Sequence, residues 1–315
     1  MMENPKIPLD TPPCGQSLLS NPMKTTKTTM FSALSQFGKL ACTLVAGAFI
    51  TTQAHSAMLL HYNFSEGTGT TSANLGTVTG ATATFSGGAG FSAANNAPRT
   101  PGFSMDNSAA GSGGVGRATI TNASLGSALD NLTNFTVTGW YKADQAQSSN
   151  SPRLFNKALN TIGNQAAGGL ALLFNDADTL QFNVGGISFT SGNTNTIYDD
   201  VGSWVFFAVT FTGGTGGGGA FYAGVQDPNT PITAAVGTYN TTLANIGSNT
   251  QDLVIGNRSP DADANRAFDG FLDDFRFYDE ILTVAQIEAI RVIPEPSGFA
   301  LLGFSAMGLL LRRRR

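Results

Sequence analysis

Two cysteines occur in 315 residues, Cys14 and Cys42, and both precede the segment that reads as the folded part. This excludes from the fold an internal disulfide framework, a cysteine-ligated zinc and a thiol nucleophile. Histidine is equally scarce. His55 falls at a signal-peptidase-like junction, which leaves His61 as the sole imidazole, too little for a Ser-His-Asp apparatus or a multi-histidine metal site. Charged residues make up only 12 % of the chain, about half the usual share. Between residues 58 and 291, nine Lys and Arg stand against eighteen Asp and Glu, giving about −9. Such a field repels a phosphate backbone, so nucleic acid is excluded as a charge-driven partner.

The space left by charge is filled with 38 glycines and many Ser, Thr and Asn, while 41 % of the chain is hydrophobic. This composition suits short strands and many turns and excludes a helical bundle. From Met58 to Arg291 the dominant period is two. Leu60, Tyr62 and Phe64 alternate with His61 and Asn63. Phe135 to Trp140 alternates likewise, and Leu170 to Phe174 and Leu180 to Val184 flank an Asn-Asp-Ala-Asp turn, predicting a hairpin. Trp204 to Phe211 has almost no polar face, as expected of a strand buried on both sides. Gly213 to Gly219 reads as a turn, and Phe221, Leu253 and Phe271 to Tyr278 belong to later strands. At least eight strands are expected. One short helix is predicted from Thr283, where Thr283 and Gln286 have capping-box spacing. No internal repeat is visible, so a propeller or solenoid is excluded. The fold class predicted is all-β, a two-sheet antiparallel sandwich over 58–291.

The two ends have a different character. Lys24, Lys27 and Lys39 precede an 11-residue apolar run, Leu40 to Ile50, and then small residues up to Ala57. Residues 1–57 therefore read as a secretory signal peptide with an overlong start, Met23 or Met30 being alternative initiators. At the other end Pro294-Glu295-Pro296-Ser297 leads into Gly298 to Leu311 and then Arg312, Arg313, Arg314 and Arg315. Fourteen helical residues reach about 21 Å, short of a hydrocarbon core of about 30 Å, so this segment is a weak or transient anchor stopped by its arginines.

Residues 292–315 resemble the PEP-CTERM sorting signal. The resemblance implies a Gram-negative-type bacterium, export across its inner membrane, and passing membrane attachment during sorting. It also implies recognition by an exosortase, cleavage near Pro-Glu-Pro, and association with exopolysaccharide or the cell surface. Within 58–291, Leu59-Leu60-His61-Tyr62-Asn63-Phe64 before Glu66-Gly67-Thr68-Gly69, Phe135 to Trp140, and Trp204 to Phe211 fall in suggestive order. The distinctive part is Phe268-Asp269-Gly270-Phe271-Leu272-Asp273-Asp274-Phe275-Arg276-Phe277-Tyr278, followed by Leu282-Thr283 and Gln286-Ile287. Together these segments resemble the laminin-G-like, concanavalin A-like jelly roll, which implies two packed antiparallel sheets.

That fold also includes glucanases, which need two carboxylates about 5–10 Å apart. The domain offers only Glu66, Glu280 and Glu288 as glutamates, none in an E-x-D-x-E array, and Asp273-Asp274 would point to opposite faces of a strand. No catalytic residue is assigned. Calcium is the metal left by elimination, bound through oxygens and structural in role. One candidate set is Asp261, Asp263, Asn265 and Asp269; it is not an EF-hand, since Arg266 and Leu272 replace the Gly and the bidentate Glu. The other is Glu66 with Asp273 or Asp274. The alternatives to metal are pairing of Asp274 with Arg276, offsetting of the crowded carboxylates by Arg258, Arg266 and Arg276, or acceptance of backbone N–H bonds in turns. Most aromatics are expected in the core, with Tyr198 and Tyr239 the candidates for exposed contacts. The function expected is an exported, non-catalytic surface or matrix protein that binds glycan or protein; a polysaccharide-active enzyme and a ligand-free spacer are the alternatives.

Overall fold

The computed structural model describes residues 57–93, 102–108, 114–147, 151–159, 169–175, 179–192 and 201–292. The signal segment, the Pro-Glu-Pro motif, the terminal arginines and Tyr198 lie outside the described residues. What is described is the sandwich.

One sheet has the path β14 (Gly237–Thr241), β13 (Gly217–Val225), β12 (Trp204–Thr212), β7 (Asn134–Ala143), β16 (Gly270–Tyr278), β5 (Ser104–Asp106) and β4 (Gly90–Ser92), with β1 (Met58–Tyr62) also on β16. The other runs β11 (Ile187–Thr190), β10 (Leu180–Val184), β9 (Leu170–Phe174), β8 (Arg153–Lys157), β15 (Leu253–Ile255), β6 (Arg117–Ile120), β3 (Ala83–Ser86) and β2 (Thr71–Ser72). The ladders within both sheets are antiparallel. The hairpin expected across Asn175 is the β9–β10 pair, with Leu180 opposite Phe174. First and last strands lie side by side, Tyr62 opposite Phe275.

Alternation decides which side chains meet between the sheets. Phe135 stacks on Phe211 at 5.1 Å and on Phe277 at 5.2 Å, and meets Phe182 of the opposite sheet edge-on at 6.0 Å. Removing such a ring costs about 3–5 kcal/mol, the transfer term plus the cavity. β12 is buried on both faces as its sequence predicts. Val205, Phe207, Val209 and Phe211 face the inter-sheet core, whereas Trp204, Phe206 and Ala208 join a second apolar cluster on the outer side.

That second cluster exists because helix α2 (Val284–Val292) lies over it with Ile287 and Ile290. The capping box forms as the spacing predicts: Gln286 N–H donates to Thr283 Oγ1 at 3.3 Å, and Thr283 N–H to Gln286 Oε1 at 2.8 Å. The helix is anchored by Arg291, fully buried, which donates to Glu288 and to the carbonyls of Val225 and Asp227. Gly224 makes room for it, since a Cβ there would lie 2.6 Å from Arg291 Cδ. A single-turn helix, α1 (Asn122–Leu125), is the other helix among the described residues. No described helix is long and apolar enough to cross a membrane.

Candidate functional site

The edge strands of the two sheets, β11 and β14, converge on one side of the sandwich. They touch at one end, where a Cβ on Gly237 would lie 2.3 Å from the Ser191 carbonyl oxygen. Toward the other end a groove of about 350 Å³ opens, lined by Ile187, Phe189, Gly216, Gly217, Asn240, Thr241 and Thr242. No charged side chain is among them. Phe189 forms part of the wall and is stacked on Tyr239, ring centroids 4.1 Å apart and planes 20° from parallel. Ile187 is 37 % exposed, and Asn240 and Thr242 are exposed at the rim. The groove therefore joins an apolar, aromatic-backed wall to amide and hydroxyl groups, a lining that orients a ligand through neutral hydrogen bonds.

Tyr239 itself corrects an expectation. It is buried, and its hydroxyl donates to the Thr210 carbonyl at 2.6 Å. Burial pushes its phenol far above the ordinary tyrosine value. The ring crosses β13 because Gly219 has no side chain: a Cβ there would lie 2.4 Å from the Tyr239 hydroxyl oxygen. The glycine run read as one turn is thus divided. Gly213 to Gly216 turns the chain, while Gly217 to Gly219 belongs to β13 and lets β14 and its tyrosine sit close. Trp140, Trp204, Tyr62, Tyr222 and Tyr278 are buried as well.

The carboxylates singled out in the sequence have other partners. Asp263 Oδ2 lies 3.2 Å from Arg258 Nη1, and its Oδ1 accepts from Asn265 N–H at 2.9 Å. The Asp261 carbonyl accepts from Arg258 Nε. Asp269, 7 % exposed, is clasped through its backbone by the Gln147 amide, which both donates to and accepts from it. Glu66 is exposed and accepts from Ser72 Oγ and Ala73 N–H. Among the described residues no three His, Cys, Asp or Glu side chains converge as a metal site requires. Asp261, Asp263 and Asp269 of the first candidate calcium set therefore do not converge as a three-carboxylate site.

Asp273 and Asp274 do not simply alternate. A β-bulge lies between Asp273 and Arg276, and Asp274 has φ +49°, the left-handed region that Asp tolerates better than most residues. The bulge turns Asp274 onto the outer face with Arg276, against the opposite-face expectation. There its carboxylate accepts from Arg276 Nη2 at 2.8 Å and lies 2.7 Å from His61 Nε2. Asp273 and Asp274 are 1 % and 2 % exposed, so neither reaches a sugar. The alternative pairing of Asp274 with Arg276 is the one observed. Glu288 is engaged with Arg291 and the Ile232 N–H.

The profile of the concanavalin A-like lectin/glucanases superfamily, laminin-G type, matches residues 112–288. The chain belongs to that superfamily. The PEP-CTERM protein-sorting motif matches residues 292–315, which marks an exported and sorted member of it. Comparison with curated proteins yields no match. Among solved structures, domain 4 of AbnA, a GH43 extracellular arabinanase from Geobacillus stearothermophilus in complex with arabinotriose, is similar with TM-score 0.50 and 12 % identity, over 75 % of this chain and 98 % of that one. The heptameric SAP-like pentraxin of Limulus polyphemus (0.37, 16 %, 53 % and 75 %) and the Trypanosoma rangeli sialidase (0.45, 14 %, 76 % and 33 %) are also similar. At these identities the likeness bears on the fold alone.

Proposed function

We infer that this superfamily member is an exported, exosortase-processed surface or matrix protein whose sandwich holds a neutral glycan in the β11–β14 groove without cleaving it. The groove carries the reading: its lining is uncharged, aromatic-backed and rimmed by Asn240 and Thr242. Binding without cleavage is supported by where the carboxylates go. Among the described residues none lines the groove, Asp273 and Asp274 are sealed in the sheet, and Glu66 and Glu288 are engaged in structural bonds. Glycosidic cleavage needs an acid and a second carboxylate on opposite sides of the bond. The arabinanase domain, solved with arabinotriose, supplies a first sugar to try.

The test is a glycan array probed with the exported protein, followed by an assay for new reducing ends on every sugar that binds. Binding of neutral oligosaccharides without reducing-end release is expected. Release would favour the polysaccharide-active alternative, and an empty array the spacer.

A further inference from the structure

Lys157, at the end of β8, is 1 % exposed, yet none of the ion pairs among the described residues includes it. Among those residues its Nζ meets amide oxygens only: Asn249 Oδ1 at 3.0 Å, the Asn249 carbonyl at 3.0 Å and Asn122 Oδ1 at 3.3 Å. A buried ammonium without a paired carboxylate is costly, so burial favours the neutral amine. Burial accordingly lowers the Lys157 pKa, with the charges of Asp130 and Asp252 opposing it. A desolvated lysine amine is a nucleophile.

The amide of Asn249 is held beside that amine from both ends. Its Nδ2 donates to the Lys157 carbonyl at 3.1 Å, and its Oδ1 accepts from the Gln251 N–H at 2.8 Å. These two bonds fix the plane of the amide. The Gln251 N–H also polarises the Cγ–Oδ1 bond and stands where the negative charge of a tetrahedral adduct would collect. Aminolysis of an amide is slow between free molecules, but fixed reactants gain an effective concentration of about 10⁵–10⁸ M when well aligned.

We propose that Lys157 and Asn249 join in an isopeptide bond, a covalent staple inside the sandwich domain. As the free amine, Nζ attacks Asn249 Cγ and forms the Nζ–Cγ bond. The Cγ–Nδ2 bond breaks, one Nζ proton passes to Nδ2, and ammonia leaves. Amine and amide thus become a substituted amide and ammonia, with no change of oxidation state. The staple ties the end of β8 to the segment that enters β15, strands already paired at Asn156 and Val254. It links positions 92 residues apart in a fold that both cysteines precede. Asn122 is the other side-chain amide at Nζ, but its oxygen is farther away, so the geometry favours Asn249.

Chymotryptic peptide mapping of the exported protein by mass spectrometry tests this, since Phe and Tyr residues separate the two positions in the chain. The expected product is a branched peptide that carries both Lys157 and Asn249, lighter than its two arms by one ammonia. In Lys157→Arg and in Asn249→Ala the branch should vanish and the intact mass should show no missing ammonia. Two linear peptides of encoded mass in the wild-type map overturn the proposal and need no variant. So does a branch from Lys157 to Asn122, or an ammonia lost within the Asn249 peptide alone.

Discussion

Arg291 is the side chain on which the outer layer depends most. A guanidinium with no exposure holds two backbone carbonyls and the Glu288 carboxylate, so one residue ties the last helix to the end of β13. Replacing it with Met keeps the bulk and deletes the donors. Arg291→Met should lower stability by about 3 kcal/mol in chemical denaturation, the scale for breaking a buried ion pair from one side. The tyrosines give a second prediction. Burial raises the phenols of Tyr62, Tyr222, Tyr239 and Tyr278 above their ordinary value of 10.0. Their folded pKa values exceed the unfolded ones, so this stabilisation is complete below pH ~10 and is lost as pH rises beyond it. Ultraviolet titration should show these phenols ionising late and together with unfolding; ordinary titration at pH ~10 in a folded protein would contradict the packing. Tyr239 also shows why exposure was misread. Its polar neighbours Thr238 and Asn240 sit on the opposite side of an alternating strand, so their character says nothing about the ring between them.

At the scale of elements, the approach of β11 to β14 is the feature most open to test. Gly237→Ala places a methyl group against the Ser191 carbonyl, and a cost of about 1–3 kcal/mol is expected from overpacking against backbone. Unchanged denaturation would mean that the two edges do not close there. The long strands were legible because Trp204 to Phe211 and Phe271 to Tyr278 are patterned by burial over eight positions each. The terminal helix was legible because its cap is local, three residues from Thr283 to Gln286. Short strands were not: β2, β4 and β5 span two or three residues, too few for a period to declare itself. The groove was invisible for a different reason. Its walls come from β11 and β14, strands far apart in the chain whose meeting depends on how the sheets pack. The bulge at Asp274 was hidden likewise, since an extra residue in one strand shows only against its partner.

For the whole molecule, the sorting motif and the groove proposed to bind sugar belong to different parts of one chain. The sorting motif matches from residue 292, where the last helix of the sandwich ends. Intact-mass measurement on protein recovered from the source cell should therefore find a product lacking the residues before about Met58 and after about Pro296, with every strand retained. A mass that includes both ends would contradict the processing reading. The Pro-Glu-Pro and arginine signals were legible because they are linear, whereas the proposed ligand groove had to await the fold. The central claim, that the groove holds a neutral sugar, is tested most directly by mapping amide chemical-shift changes as the best array sugar is added to the exported protein. The account predicts shifts centred on Gly216, Gly217, Asn240, Thr241 and Thr242; saturable shifts elsewhere on the sandwich, with these amides unmoved, would contradict it.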